Sequence, residues 1–337
     1  MKLKKHKISG ICANWIEGWL SQRYQRVVLN GSMSDWSSVY SGVPQGSVLG
    51  PVLFLIYVND IDSCISSNLL KFADDTKLYR VIENIDDVKS LQLDLDELVK
   101  WAEMWQMSFN TDKCKVMHIG KHNEKAKYMI DGIVMKDIHQ EKDLGVIVQS
   151  NLKVDAHCAK VVNTANRILG MISRTFTSRS RVIILQLYRS LVRPHLDYCA
   201  QAWRPHLKKD ILAIEKVQRR ATRMIDDIGK LEYEDRLLQL GLTTLETRRI
   251  RGDLLEMFKI FKGFDNLDHT KFFKLNSNVL RGHSLKLYKT RFESSIGENS
   301  FYARSIDEWN ALTPDIVNCT TIDSFKSKLD DHLKYSR

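Results

Sequence analysis

The sequence predicts an α+β domain followed by a basic region that is all helical. In the first 150 residues, Asn-Gly and Asp-Gly pairs between short apolar runs indicate β-hairpins. Beyond about residue 154, apolar residues recur every three or four positions, which is the spacing of amphipathic helices. Lysine and arginine are concentrated in the same helical part, so the charge and the periodicity change together along the chain.

The elements of the first part each follow from a short pattern. Apolar residues spaced by three and four predict a helix over residues 11–20. The dipeptides Asn30-Gly31 and Asp131-Gly132 predict two hairpins, because these residues tolerate the positive φ that tight hairpin turns require.

Further helices and another hairpin complete this part. Residues 48–58 are apolar on nearly all sides and predict a helix at the centre of the domain. Short strands are expected around 69–72 and 76–81, with two aspartates at the turn between them. An amphipathic helix is expected over 88–105, with Asp94 on its polar face.

The second part is expected to consist of helices over residues 151–262 and a C-terminal region over 263–337. Within the latter, residues 265–299 are polar and poorly periodic, which predicts a loop or linker. Trp203 and Trp309 could stack on bases, but packing in a core is the more usual role of tryptophan in a helical region.

The charge distribution favours a polyanionic partner. The chain carries a net charge of +10, and between residues 160 and 223 there are 14 Lys or Arg against three acids. Such a concentration suits nucleic acid, because each neutralised phosphate releases counterions, although a solvated helical face is the alternative. The six scattered cysteines and the lack of a spanning or signal segment predict an intracellular protein of the nucleus or cytoplasm, not secreted and with no membrane partner.

An adjacent pair of carboxylates, Asp74 and Asp75, stands in the stretch KFADDTKLYR. Such a pair alone is usually turn chemistry. Here, however, GVPQGS precedes it, and NTDK and DLG follow it in order. These motifs, and the later stretches LVRPHLDYCAQAW, AIEKVQRRATRMI and RSIDEWNALTPDIV, resemble the reverse transcriptases of jockey-like non-LTR (LINE-type) retrotransposons.

The resemblance implies the fold and the site. Residues 1–150 would form a partial polymerase palm of the right-hand reverse transcriptase fold, 151–262 a basic thumb, and 263–337 a helical C-terminal region. The implied catalytic residues are Asp74 and Asp75, which hold metal, and Lys113, which protonates the leaving pyrophosphate. The implied nucleotide and template contacts are Pro44, Gln45, Gly46, Phe72 and Ala73. The implied primer grip is Leu144 and Gly145, and the implied nucleic-acid contacts of the thumb are Arg219, Arg220 and Arg223.

The resemblance also implies cofactors and partners. The complete family site uses two Mg²⁺ or Mn²⁺ ions, an RNA template, a DNA primer and deoxynucleoside triphosphates. Its motif A, which carries a further carboxylate, would precede the first residue, so we expect an N-terminally truncated chain without motif A, fingers or endonuclease. Two divalent ions carry four positive charges, and two carboxylates carry only two negative ones, so the repulsion between the ions is not compensated. We therefore expect no primer extension unless a second chain supplies motif A.

The sequence leaves three alternatives. The first is a reverse transcriptase whose activity is either residual or completed by a second chain. The second is a non-catalytic fragment that binds RNA or an RNA/DNA hybrid. The third is a translated piece of a decayed element that has no function.

Overall fold

The computed structural model describes residues 2–276 and 282–335. Contacts within the chain divide it into two compact units, residues 1–138 and 139–337. Among the described residues, no helix combines the length and the apolarity needed to cross a bilayer.

The first unit mixes short helices with two-stranded sheets. Among the described residues, its helices are α1 (Lys2–Lys5), α2 (Gly10–Leu20), α3 (Leu49–Val58) and α4 (Ile85–Met104). Its ten strands are β1 (Arg23–Gln25), β2 (Val28–Leu29), β3 (Ser32–Met33), β4 (Ser37–Val39), β5 (Asn68–Phe72), β6 (Asp75–Tyr79), β7 (Lys115–Val116), β8 (Met129–Ile130), β9 (Ile133–Val134) and β10 (Lys136–Asp137). The pairs β1–β4, β2–β3, β5–β6 and β8–β9 are antiparallel, and β7–β10 is parallel.

Both predicted glycine-containing hairpins are confirmed. Asn30 and Gly31 join β2 to β3 with φ of 49° and 85°, and Asp131 and Gly132 join β8 to β9 with φ of 52° and 71°. Positive φ at both central residues is the requirement of the tight turn whose twist matches that of the strands.

Helix α3 forms where the sequence predicts it, but its predicted central position is wrong. Only Gly50, Leu53 and Val58 are buried, whereas Val52 and Leu55 are about half exposed. The reason is that the apolar cluster of this unit is built mainly on helix α4 and the segments beside it. Helix α3 therefore buries one stripe and leaves the rest of its apolar surface exposed.

Helix α4 is amphipathic as predicted, but the prediction for Asp94 is wrong because this residue is buried. Its carboxylate accepts hydrogen bonds from the backbone N–H groups of Ser66 at 2.9 Å and Ser67 at 2.8 Å. Burial alone would raise the pKa of Asp94, but these hydrogen bonds outweigh it and lower the pKa below its usual value. Asp94 thus fixes the segment that leads into β5.

The second unit begins with a hairpin and continues in helices. The hairpin pairs β11 (Gln140–Asp143) with β12 (Val146–Gln149) in antiparallel register. The helices are α5 (Asp155–Thr175), α6 (Arg181–Leu187), α7 (Arg193–Asp197), α8 (Ala200–Trp203), α9 (Lys208–Arg223), α10 (Tyr233–Leu240), α11 (Leu245–Lys262), α12 (Ser295–Glu298), α13 (Phe301–Arg304), α14 (Ile306–Asn310), α15 (Pro314–Val317) and α16 (Ile322–Tyr335). A π-helical turn, Tyr188–Val192, joins α6 to α7, and a 3₁₀ turn covers His269–Lys271.

Two apolar clusters stabilise this unit. The first contains residues of α5 and α9 with Val146 of β12, so the hairpin packs with the helices that follow it. The second joins the last turns of α11 to α14 and α16, and it includes Phe273 and Leu287. The described part of the predicted loop over 265–299 is therefore anchored to a core.

The two tryptophans flagged in the sequence are both core residues. Trp203 belongs to the first cluster and Trp309 to the second, and both are fully buried. The expectation that they pack, and do not stack on bases, is confirmed.

Candidate functional site

The two adjacent aspartates lie at the tip of the β5–β6 hairpin. Phe72 pairs with Asp75 across the strands, so Ala73 and Asp74 form a two-residue turn. Ala73 has a φ of 52°, which is uncommon for a residue with a side chain. Both carboxylates are exposed to solvent. The two strands predicted for this stretch are confirmed, but of the two aspartates predicted at the turn only Asp74 lies in it, because Asp75 is the first residue of β6.

The base of this hairpin is fixed and its tip projects. Leu69 and Leu78 are cross-strand partners, and both pack against the apolar cluster of the first unit. On the same face, the ammonium of Lys71 donates to the carbonyl oxygen of Asn59 at 2.8 Å and lies 3.0 Å from the carboxylate of Asp62. These contacts tie the hairpin to the end of α3 and set the direction in which the aspartates point.

The carboxylates have the chemistry of metal ligands, but the set is incomplete. In the part of the chain that the structure describes, neither Asp74 nor Asp75 forms a side-chain hydrogen bond or an ion pair. The same part holds no group of three or more His, Cys, Asp or Glu placed to bind a metal ion. Mg²⁺ prefers an octahedral shell of oxygen ligands, and two ions require more anionic oxygens than two aspartates provide. The residues present therefore do not fit a complete two-metal site.

The GVPQGS stretch forms a turn that is bound to the start of α3. The hydroxyl of Ser47 donates to the carbonyl oxygen of Pro44 at 2.7 Å and accepts from the N–H of Gly50 at 3.0 Å. Gly46 has a φ of 82°, a conformation that glycine adopts without strain. Gln45 and Gly46 are exposed. The turn thus presents them to solvent on a constrained backbone, and Ser47 is a support that the sequence reading missed.

Lys113 is in a turn between α4 and β7. Its backbone N–H donates to the carbonyl oxygen of Asn110 at 3.0 Å, and its side chain is exposed. Within the described residues, no hydrogen bond or ion pair joins Lys113 or Gln45 to the aspartates. The role of each of these residues stays a prediction.

The turn between β11 and β12 contains Leu144 and Gly145 and is held by Tyr198. The hydroxyl of Tyr198 donates to the carbonyl oxygen of Leu144 at 2.9 Å. Gly145 has a φ of 92°, and a Cβ placed there would lie 2.9 Å from Cε1 of Tyr198. Glycine is therefore required both by its backbone conformation and by the close approach of the ring. Tyr198 lies in the LDYCAQAW stretch, but only the folded chain reveals its partner.

His157, on α5, contacts the same hairpin through a backbone hydrogen bond. Its Nδ1 accepts a hydrogen bond from the backbone N–H of Ile147 at 3.0 Å, and its ring packs edge-on against Trp203 with centroids 4.8 Å apart. Burial, with a smaller effect of the nearby Lys160 cation, lowers the pKa of His157 to about 4. The ring is neutral at pH 7, and this leaves Nδ1 free to accept. Sequence reasoning missed this residue.

The three arginines assigned to nucleic-acid binding are exposed on α9. Arg220 donates to the side-chain oxygen of Asn166 on α5 at 3.1 Å, which links the two packed helices. Arg219 instead lies over the ring of Tyr233, 4.2 Å from its centroid, and 3.9 Å from the carboxylate of Glu234. Among the described residues, the side chain of Arg223 forms no hydrogen bond or ion pair, so it is the least engaged of the three.

The basic residues of these helices repeat in register. On α9, Lys209, Lys216 and Arg223 are seven residues apart, and all three are exposed. On α5, Lys160, Arg167 and Arg174 show the same spacing. A spacing of seven residues returns to nearly the same side of an α-helix. We call these six residues and Arg220 the basic face.

Comparisons with known proteins point in one direction. Residues 1–154 match the family model described as reverse transcriptase (RNA-dependent DNA polymerase). The chain is 27% identical over 211 residues to the RNA-directed DNA polymerase from mobile element jockey of Drosophila funebris, covering 57% of this chain and 23% of that protein. It is 27% identical over 229 residues to the probable RNA-directed DNA polymerase from transposon X-element of Drosophila melanogaster, covering 64% and 24%. The chain thus spans about a quarter of the length of these curated relatives.

Proposed function

Because this chain is a relative of the reverse transcriptases of jockey-like non-LTR retrotransposons, we propose that it contributes to RNA-directed DNA synthesis. The observation that carries the proposal is the β5–β6 hairpin. It presents Asp74 and Asp75, adjacent and without protein partners in the described part, at a tip whose base is packed into a core.

The reaction proposed is template-directed nucleotidyl transfer, in which Asp74 and Asp75 supply only part of the metal site. Each divalent ion carries two positive charges, and the close approach of two such ions is tolerated only with sufficient anionic ligands. We therefore propose that the chain alone does not extend a primer and that a further carboxylate comes from a second chain. The outer face of the hairpin supports this, since Leu70, Phe72 and Tyr79 are each more than half exposed. An exposed apolar face suits burial against another polypeptide.

The proposed substrates are an RNA template, a DNA primer and deoxynucleoside triphosphates. The basic face supports the binding of a template and primer duplex, because its cations repeat along two packed helices. The turn at Leu144 and Gly145 is the proposed contact for the primer end, and Tyr198 and His157 fix its position.

A second candidate function is binding of RNA or an RNA/DNA hybrid without chemistry. The same basic face favours it, and it needs neither metal nor a second chain. The two functions differ in one respect, which is whether the aspartates affect any reaction once a partner chain is supplied.

Primer extension tests the proposal. The chain is incubated with a DNA primer on an RNA template, deoxynucleoside triphosphates and Mg²⁺ or Mn²⁺, first alone and then with a polypeptide carrying the corresponding palm segment of a related element. We expect no extension alone and extension in the mixture. We also expect the Asp74→Asn and Asp75→Asn variants to abolish it.

Asp131→Asn is the matched control, since Asp131, like Asp74, lies in the two-residue turn of a β-hairpin. Extension in the mixture should be unchanged by this variant. Robust extension by the chain alone that is lost in Asp74→Asn would contradict the need for a second chain. Extension in the mixture that is indifferent to both aspartates would contradict the role of the hairpin.

A further inference from the structure

A cavity of about 500 Å³ lies in the second unit, between α7, α9, α11 and α16. Four cationic side chains line it, and one carboxylate opposes them. The cations are Arg193, Arg248, Arg251 and Lys326, and the carboxylate is that of Asp330. The charge of this wall is therefore strongly positive.

Two of the arginines share one carboxylate just outside the cavity. Nε of Arg248 donates to Oδ2 of Asp197 at 2.6 Å, while Nε of Arg193 lies 3.7 Å from the same oxygen. Within the described residues, the terminal guanidinium nitrogens of Arg193 and Arg248 have no hydrogen-bond partner. Burial first, and then repulsion by Arg248, lower the pKa of Arg193 from its usual value. One aspartate thus leaves this pair of cations undercompensated.

The other two cations that line the cavity each pair with a carboxylate. Both Nε and Nη2 of Arg251 donate to the carboxylate of Asp330, the second at 3.0 Å, and Lys326 pairs with Asp323 at 3.2 Å. The uncompensated charge is therefore located at Arg193 and Arg248. Their terminal nitrogens provide planar forks, the geometry that matches the oxygens of a phosphate group.

We propose that this cavity binds the phosphate of a ligand of nucleotide size. Sites for small ligands typically measure about 300 to 1,000 Å³, and this cavity falls in that range. No aromatic side chain is among its lining residues in the described part, so the cavity offers cations for a phosphate and no ring on which a base could stack. The same chemistry is offered by a free nucleotide and by the phosphorylated end of a nucleic acid strand.

The proposed site is separate from the basic face. Gln218 of α9 lines the cavity and is buried, and it lies on the opposite side of the helix from Lys216, Arg220 and Arg223. Gln218 is itself saturated, because it bonds Tyr188, Glu215, Tyr233 and the carbonyl oxygen of Thr243. Phosphate binding in this cavity is therefore independent of the proposed polymerase function.

Calorimetric titration of the full chain at constant ionic strength tests whether the cavity binds a phosphate. The probes are inorganic phosphate, a nucleoside monophosphate, and a short RNA with either a 5′-phosphate or a 5′-hydroxyl. We expect saturable binding of the monophosphate, and we expect Arg193→Gln and Arg248→Gln each to weaken it at least about tenfold. Arg193→Lys, which keeps the charge but loses the fork, should give an intermediate affinity.

The two RNA arms identify the source of the phosphate. Tighter binding of the 5′-phosphorylated RNA that is lost in Arg193→Gln assigns the site to strand ends. If both RNAs bind equally and only the binding of the nucleoside monophosphate depends on Arg193, the site is assigned to free nucleotides. The control variant is Arg223→Gln, which should weaken duplex binding and leave the nucleotide affinity unchanged.

Lys326→Gln guards against loss of the fold, because the side chain of Lys326 is about 40% exposed and its partner Asp323 is almost fully exposed. Circular dichroism should show that this variant is folded. Its affinity for the nucleoside monophosphate should fall by a smaller factor than the affinities of the two arginine variants. Absence of saturable binding at millimolar phosphate and nucleotide would overturn the inference. So would affinities that do not change in Arg193→Gln, Arg248→Gln and Lys326→Gln.

Discussion

Acidification should loosen the β11–β12 hairpin from α5, because His157 must be neutral to accept the hydrogen bond from Ile147. The pKa of His157 is lowered from 6.5 to about 4 in the folded chain. Between these values the unfolded chain binds a proton that the folded chain does not. The free energy of unfolding therefore falls as the pH falls from about 6.5 to about 4, and the stabilisation is fully present above about 6.5. A difference of about 2.5 pKa units corresponds to at most about 3 kcal/mol.

The assay is denaturant unfolding at several pH values between 7 and 4, for the wild type and for His157→Asn. The Asn side-chain oxygen can accept the same hydrogen bond from Ile147 but does not titrate. Burial also lowers the pKa of His283, which contributes equally to both proteins and cancels in the difference. We expect the wild type to lose up to about 3 kcal/mol more than the variant across this window. Parallel stability curves for the two proteins would contradict a role of His157 in this pH dependence, as would an Ile147 amide whose exchange is equally protected at pH 7 and 4.5.

Three further changes are expected to have distinct effects. Tyr198→Phe removes the hydrogen bond to the carbonyl oxygen of Leu144 and should destabilise the second unit by about 1 kcal/mol in denaturant unfolding, with faster amide exchange at the turn. Gly145→Ala should cost more than about 1 kcal/mol in the same assay, since its φ is positive and its Cβ would meet the Tyr198 ring; an unchanged midpoint would contradict the described turn. Trp309→Ala should cost about 3 to 5 kcal/mol because it empties a core position and frees the carbonyl oxygen of Leu285. If Trp309→Phe, which keeps most of the packing, lowered duplex affinity without lowering stability, the core assignment would be wrong.

Local signals in the sequence were sufficient for the turns. Asn30-Gly31 and Asp131-Gly132 specify their hairpins because the required positive φ is a property of those residues themselves. The strands that flank Asp74 follow from the short apolar runs on either side of it, although Ala73, which has the positive φ in that turn, is not a residue that favours it. Periodicity was less informative for the helix over 48–58, since an apolar residue at nearly every position does not reveal which side will be buried.

The sequence pattern does not predict contacts between residues that are far apart in the chain. The sequence places Asp94 on the polar face of its helix and gives no sign of its burial, because its hydrogen-bond partners, Ser66 and Ser67, precede it by a whole hairpin. The support of the Leu144 turn by Tyr198 joins residues 54 positions apart, and the cavity near Arg193 is assembled from four helices. Such sites depend on tertiary packing, which a single sequence does not specify residue by residue.

We propose that the chain binds a template and primer duplex through its helical, basic part, residues 151–262. The most direct test is the dependence of hybrid-duplex affinity on salt. Log affinity should fall linearly with log salt, and changing Arg219, Arg220 and Arg223 to Ala should make the slope shallower by about two to three. Changing three exposed lysines outside this part, Lys121, Lys125 and Lys127, should alter the slope less. An affinity and a salt slope that the arginine changes leave untouched would contradict the claim.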